Sequence, residues 1–214
     1  MAELISRFST SKACGPFSIP SKILKEFDSF FIPPITAIIN KSLKEGVFPS
    51  KLKLAHGNPH FQKSDKTKCP NYRPISLLSN ISKIFERIMY NRIETFLNAN
   101  SILYKHQYGF RKKYSTDHAI LSIVEQIKTN LDNKTFSCGV FVDLEKAFDT
   151  VNHNILISKL SHIGIDNLAN KWLTSYLSER SQCVSVNGAN QIFQKLAVVY
   201  PKDLYLVHFY SQYI

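Results

Sequence analysis

FVDLEKAFDTVNH, at residues 141–153, places a carboxylate, Asp143, directly after an apolar run and follows it with Phe148 and Asp149. The run from Thr135 to Val142 predicts a strand near the centre of a sheet. A carboxylate at the end of a rigid strand suits a divalent-metal site for phosphoryl or nucleotidyl transfer. Taken alone, Asp143 is more simply a residue that ends a strand, and Phe148 an ordinary core aromatic.

Helical periodicity dominates the chain before this strand. A helix that opens at Pro33 or Pro34 and ends at Gly46 is predicted from the spacing of its isoleucines. A later helix is predicted from Ser79, its N-cap, to about Asn98.

A third helix is predicted to begin near Ser115 or Thr116 and to turn one apolar face toward the core. The residues assigned to that buried face are Ala119, Ile120, Ile123, Val124, Ile127 and Leu131.

Two helices and a hairpin are predicted after the 141–153 stretch. The first helix ends at Gly164, and the second carries Trp172 on its apolar face. Segments 182–186 and 191–196, joined through Asn187-Gly188, have the pattern of a β-hairpin. The predicted fold class is therefore α+β, mostly helical with a small antiparallel sheet.

Composition indicates a basic protein with reduced thiols. The chain has 27 Lys plus Arg against 16 Asp plus Glu, a formal charge of +11, which favours a polyanionic partner. Its four cysteines, at positions 14, 69, 138 and 183, form no CxxC pair and no disulfide framework. No apolar run has the length of a membrane span or the pattern of a signal peptide. We therefore expect an intracellular protein of the cytoplasm or nucleus that is not secreted.

Five blocks in a fixed order give the chain a resemblance to a known family. It resembles the N-terminal part of the reverse transcriptase domain of non-LTR (LINE-like) retrotransposons. The blocks are GPFSIPSKILK at 15–25, GVFPSKLKLA at 46–55, NYRPISLLSNISKIFERIMYNRI at 71–93, QYGFRKKYSTDHA at 107–119 and FVDLEKAFDTVNHNILISKLSHIGI at 141–165.

The resemblance implies a partial right-hand polymerase, with fingers and an incomplete palm. It implies template-directed addition of dNTPs, with an RNA template, a DNA primer and two Mg²⁺ ions. The regions expected on this basis are an N-terminal helical region at 1–50, a fingers-like region at 51–135, a partial palm at 136–196 and an aberrant tail at 197–214.

The resemblance also assigns roles around the predicted metal site. Asp143 is the expected catalytic Mg²⁺ ligand, assisted by the backbone carbonyl of Leu144. Phe148 is expected beneath the incoming sugar, where its ring clashes with a 2′-hydroxyl and selects deoxynucleotides. Asp149 is expected to cap the following helix rather than to bind metal.

Arg73, within NYRPIS, matches the family's triphosphate-binding arginine. Lys63 is a second candidate for dNTP binding, whereas Lys66 is interpreted as a solvated lysine. Residues 55–61 depart from the family, which usually has an apolar strand here, and Gly57 to Pro59 are expected to break regular structure. The same residues rule out the helix that zinc binding by His56 and His60 would need.

Aromatic residues alternate with cations in the block at 107–113. Such a pattern suits contact with a nucleic-acid backbone together with base stacking, although a basic stretch can also be a plain solvated face. The residues expected to bind nucleic acid are Tyr108, Phe110, Arg111, Lys112 and Lys113.

Two blocks that the family needs, GVPQGS with LGPLLF and the paired aspartates of YADD, do not occur. Residues 198–214 can, however, be back-translated in a shifted frame as GIPQGSILGPLLF-x-IY. We infer a one-base frame disruption near residues 194–198, which the coding DNA can test. Without the missing carboxylates, the chain is interpreted as an inactive fragment of an RNA-directed DNA polymerase. The alternatives are a non-catalytic nucleic-acid-binding remnant and a pseudogene product without function.

Overall fold

The computed structural model describes most of the chain up to Lys195. The described residues are 1–10, 15, 18–61, 65–68, 71–143, 151–186 and 189–195. Lys63, Leu144, Phe148, Asp149 and the predicted aberrant tail lie outside this part, as does the predicted hairpin connection at Asn187-Gly188.

Helices make up most of the regular structure in this part of the chain. They are α1 (Ala2–Ser6), α2 (Ser21–Glu26), α3 (Asp28–Glu45), α4 (Asn80–Ala99), α5 (Thr116–Asp132), α6 (His153–His162) and α7 (Asn167–Leu177), with a 3₁₀ turn at Ser50–Leu52.

The strands form one mixed sheet. They are β1 (Leu54–Phe61), β2 (Tyr72–Leu77), β3 (Ser181–Val186) and β4 (Ala189–Lys195), in the spatial order β2-β1-β3-β4. β1–β2 and β3–β4 are antiparallel, but β1–β3 is parallel. The prediction of a purely antiparallel sheet was therefore wrong. Between β1 and β3 the chain passes through α4 to α7, and it then re-enters the sheet in the same direction.

β1 runs through the segment that was expected to break regular structure. Gly57 to Pro59 lie inside the strand, where Pro59 faces Pro74 of β2. The pairing of β1 with β3 involves only Leu54–Gly57. Pro59, which has no N–H to donate, lies beyond these residues and therefore does not interrupt the hydrogen bonds between β1 and β3. Pairing with two neighbours therefore outweighs the weak strand propensity of Gly-Asn-Pro.

Several helix boundaries confirm the predictions. The side chain of Ser79 accepts a hydrogen bond from the Ser82 N–H at 3.1 Å and caps α4. Gly46 ends α3 in the left-handed conformation, at φ 66°. α3 begins at Asp28, however, and places Pro33 and Pro34 inside the helix rather than at its start.

The core lies where α3, α4 and α7 meet. An aromatic cluster of Phe48, Phe85, Trp172 and Tyr176 joins these helices, with ring centroids 5.1 to 5.7 Å apart. The Trp172 indole N–H also donates to Ser42 Oγ at 2.9 Å. Trp172 is therefore both a packing centre and a polar link between α7 and α3.

α5 forms as predicted, but its predicted burial was wrong. No residue of this helix is buried, and Ile120, Leu121 and Leu131 are 59%, 60% and 66% exposed. The amphipathic pattern identifies the apolar face of a helix but not whether another element covers it.

The strand predicted at Thr135 to Val142 does not form, and its apolar side chains are exposed. A strand needs a partner for its backbone groups, and β1 to β4 pair only with one another within the described residues. Together with α5, this segment forms a large apolar surface that the rest of the described residues leave exposed.

Such a surface promotes self-association. We expect the double variant Leu121→Gln/Leu131→Gln to remain monomeric at protein concentrations at which the original chain associates. Its melting temperature should be unchanged, because both residues are exposed. Light scattering coupled to size-exclusion chromatography measures the shift. Glu125→Gln, on the same helix, is the control. Equal association of both variants would contradict this account.

Two further observations concern the environment of the protein. Cys138 and Cys183 are free thiols, as predicted, whereas Cys14 and Cys69 lie outside the described residues. None of the described helices combines the length and apolar composition that crossing a bilayer requires.

Candidate nucleic-acid interface

An open groove of about 910 Å³ lies between the second half of α4 and the loop that leads to α5. Tyr90, Glu94 and Leu97 of α4 form one wall, and the segment from Phe110 to Tyr114 forms the other. The groove thus brings aromatic rings and three cations of the QYGFRKKY block to one surface.

Backbone turns shape the loop wall. Phe110 and Lys113 have left-handed φ angles of 56° and 67°, which non-glycine residues adopt mainly in tight turns. The Tyr114 N–H donates to the Arg111 carbonyl at 3.3 Å, and the Arg111 guanidinium donates to the Tyr104 carbonyl at 3.3 Å. These bonds fold residues 104–114 back on themselves beside α4.

An ion pair fixes the loop to the helix. Lys112 Nζ lies 2.6 Å from Glu94 Oε2, and the Glu94 side chain is only 18% exposed. Tyr90 donates to the other Glu94 oxygen at 3.2 Å, and burial and this carboxylate raise the pKa of Tyr90 to about 12. One carboxylate therefore organises both walls of the groove.

Arg111 stacks on the ring of Tyr114, with its guanidinium carbon 4.4 Å from the ring centroid. Lys113 is exposed at the rim, and the Tyr108 ring lies 5.8 Å from that of Tyr114. Of the five residues predicted to bind nucleic acid, four line the groove and Tyr108 lies beside it.

Sequence reasoning missed several members of this surface. Tyr90 and Glu94 lie on a different element, and no local pattern connects them to the loop. Tyr104 and His106 extend an aromatic alternation that continues to Tyr108, and this spacing was a usable signal.

The predicted dNTP-binding residues are only partly described. Arg73 lies in β2, opposite His60 of β1. The structure describes neither the side chain of Arg73 nor any part of Lys63. Lys66 is exposed, as expected, with Nζ 5.6 Å from the centroid of the Phe61 ring. A triphosphate-binding site at the β1–β2 pair stays a prediction.

The predicted metal site is incomplete in the described part of the chain. Asp143 is exposed, and no three His, Cys, Asp or Glu side chains among the described residues are placed to hold a metal ion. Mg²⁺ prefers octahedral oxygen coordination, so one exposed carboxylate does not fit it. We therefore assign no catalytic step through Mg²⁺ to these residues.

The helix cap assigned to Asp149 is filled by another residue. Asn152 is the N-cap of α6, and its side-chain oxygen accepts from the backbone N–H groups of Asn154 and Ile155 at 3.0 and 3.2 Å. A cap must lie directly before the first helical residue, and Asp149 is too far upstream.

The family described as reverse transcriptase (RNA-dependent DNA polymerase) matches residues 61–201. Three similar proteins of Drosophila melanogaster are a probable RNA-directed DNA polymerase from transposon BS, another from transposon X-element, and the RNA-directed DNA polymerase from mobile element jockey. Their identities are 31%, 37% and 29%, over 90%, 72% and 93% of this chain. The matches cover only 21%, 17% and 22% of these relatives, so the chain spans about a fifth of their length.

Proposed function

The chain belongs to the reverse transcriptase family of non-LTR retrotransposons, and we propose that it is a fingers and partial palm portion that binds nucleic acid but does not polymerise by itself. In a complete polymerase, its partners would be an RNA template, a DNA primer, dNTPs and Mg²⁺. The observation that carries the proposal is the groove beside α4, which gathers Arg111, Lys112 and Lys113 with aromatic rings.

Electrostatics supports the binding part of this proposal. A formal charge of +11 attracts a polyanion at long range. At the groove, Lys112 is paired with Glu94, and Arg111 and Lys113 supply the positive charge that can meet phosphates. Neutralising phosphates releases counterions, so binding at this groove should weaken steeply as salt rises.

The incomplete carboxylate set supports the second part. Nucleotidyl transfer in this family relies on metal ions held by several oxygen ligands, and the described residues offer only Asp143 at the expected place. Primer extension on a primed RNA template, with Mg²⁺ and separately with Mn²⁺, should therefore give no product. Template-dependent synthesis by the purified chain would refute this part.

The groove can be tested with charge variants. We expect Arg111→Gln/Lys113→Gln, which keeps the Lys112–Glu94 ion pair, to weaken RNA binding about tenfold at low salt and to reduce the slope of log affinity against log salt by about one to two. Fluorescence anisotropy across a salt series measures both quantities.

A matched control is Lys41→Gln/Lys44→Gln, which removes the same charge from exposed positions of α3 that do not line the groove. Equal losses in the two double variants would mean that net charge, and not the groove, determines binding.

A further inference from the structure

We propose that a row of aromatic rings, partly lining the groove and partly beside it, stacks on unpaired bases, so that its ligand is a single strand and not a duplex. This aromatic row consists of Tyr104, His106, Tyr108, Tyr114 and His118. The inference rests on the proposed function and specifies the form of nucleic acid that the same surface takes.

The rings of the aromatic row follow one another closely. Tyr104 and His106 have centroids 5.4 Å apart, and His106 and Tyr108 are 6.5 Å apart. Tyr108 lies 5.8 Å from Tyr114, which lies 6.0 Å from His118. Successive rings are tilted by 56° to 62°, so they do not form a closed stack among themselves.

Core packing does not account for these rings, of which Tyr108 is half-buried and the other four are exposed. Tyr104 is 68% exposed and Tyr114 39% exposed, and no ring of the aromatic row belongs to the core of the described residues. Their neighbours Ile102 and Leu103, by contrast, pack against that core. A contiguous set of exposed rings is typical of a binding surface.

Hydrogen bonds hold the aromatic row in place before any ligand arrives. The Gln107 N–H donates to the Tyr104 carbonyl at 3.1 Å, and the Ser115 N–H donates to His118 Nδ1 at 3.1 Å. The Arg111 guanidinium donates to the same Tyr104 carbonyl. A surface that is already ordered loses less entropy when it binds.

The chemistry of the row favours unpaired bases. Every base has a π-face, and stacking on an aromatic side chain contributes about 1 to 3 kcal/mol per base without regard to sequence. In a duplex those faces are already covered by neighbouring base pairs. Arg111 and Lys113 lie next to the row, since Arg111 stacks on Tyr114, and can contact the phosphates of the same strand.

The test uses the full chain and three labelled probes of about 15 nucleotides: a mixed-sequence single-stranded RNA, the same sequence as DNA, and an RNA duplex. We expect tighter binding of both single strands than of the duplex, by about tenfold or more. A preference for RNA over DNA would add recognition of the 2′-hydroxyl, whereas equal binding would show that the bases suffice.

The double variant Tyr104→Ala/His106→Ala should weaken single-strand binding by roughly 10- to 100-fold and leave duplex binding and the salt slope unchanged. Tyr104→Phe/His106→Phe keeps an aromatic ring at both positions and should retain binding, which separates stacking from misfolding.

Equal affinity for single strands and duplex, or full binding by the alanine variant, would overturn the inference. In either case, loss of binding in Arg111→Gln/Lys113→Gln would leave the proposed function standing. Failure of every probe to bind would remove both.

Discussion

Replacing Trp172 with alanine should lower the free energy of unfolding by about 3 to 5 kcal/mol, a large fraction of the roughly 5 to 15 kcal/mol that stabilises a typical domain. The side chain is 1% exposed and lies at the centre of the aromatic cluster. Its ring packs edge-on against Phe48 at 5.3 Å and is stacked on Tyr176 at 5.5 Å. Alanine removes both contacts, opens a cavity and leaves Ser42 Oγ without its indole donor.

Urea denaturation followed by far-UV circular dichroism measures this change, because Trp172 is the single tryptophan and its fluorescence is lost with it. Trp172→Phe should cost less, since it keeps an aromatic ring but loses the hydrogen bond to Ser42. Phe30→Ala, at a 74% exposed position of α3, should cost no more than about 0.5 kcal/mol. Similar losses at Trp172 and Phe30 would show that the aromatic cluster does not stabilise the fold.

Local signals in the sequence were sufficient for elements that depend on their own residues. The boundaries of α4 follow from Ser79 as N-cap and from a regular apolar period, and both operate within a few residues. The β3–β4 hairpin follows from two short strand patterns around Asn187-Gly188. In each case the interactions that set the element are close in sequence.

Predictions failed where a distant partner decides the outcome. β1 forms despite Gly57 to Pro59 because β2 and β3 pair with it, and β3 begins at Ser181, far along the chain. Conversely, residues 135–142 have a strand composition but no described partner, so they remain exposed. Propensity predicts what a segment can form, whereas pairing determines whether it does.

The groove likewise combines features set by local sequence with features set by distant residues. Its cations were predictable because they interleave with aromatics in one block, but the Glu94–Lys112 pair joins residues 18 positions apart. Left-handed turns at Phe110 and Lys113 are also invisible in composition, since neither residue favours that conformation. Sequence therefore identified the chemistry of the surface, and the structure supplied its shape and its aromatic row.

Buried Glu86 leads to a pH-dependent prediction of comparable size. It lies in α4 at 1% exposure, where Tyr176 donates to its carboxylate at 3.0 Å and Ser82 at 3.4 Å. Burial raises the pKa of Glu86 from the usual 4.5 to about 7, although Arg180, the hydrogen bonds and Lys83 oppose the shift. Arg180 is itself buried, with its guanidinium over the Tyr176 ring.

The sign of the effect follows from proton uptake. Between pH 4.5 and about 7 the unfolded chain has an ionised Glu86, whereas the folded chain keeps this group protonated. The folded state then binds more protons, so the stability due to Glu86 is full below pH 4.5 and falls as pH rises through the folded pKa. The total loss is about 3 kcal/mol, and it is constant above pH 8.

Glu86→Gln isolates this contribution, because glutamine is neutral at every pH and its carbonyl can still accept from Tyr176. We expect the variant to match the original chain within about 1 kcal/mol at pH 4 and to exceed its unfolding free energy by about 3 kcal/mol at pH 8. Urea denaturation across this range measures the difference.

Taking the difference between two chains is necessary because burial lowers the pKa of His153, which makes stability rise with pH in an overlapping range. That contribution is common to both chains and cancels. Glu26→Gln, at an exposed position of α2, should keep the pH dependence of the original chain. A constant difference between the Glu86 variant and the original from pH 4 to pH 8 would show that Glu86 has the same charge in the folded and unfolded states. The polar cluster of Glu86, Tyr176 and Arg180 would then hold an ionised carboxylate in the core.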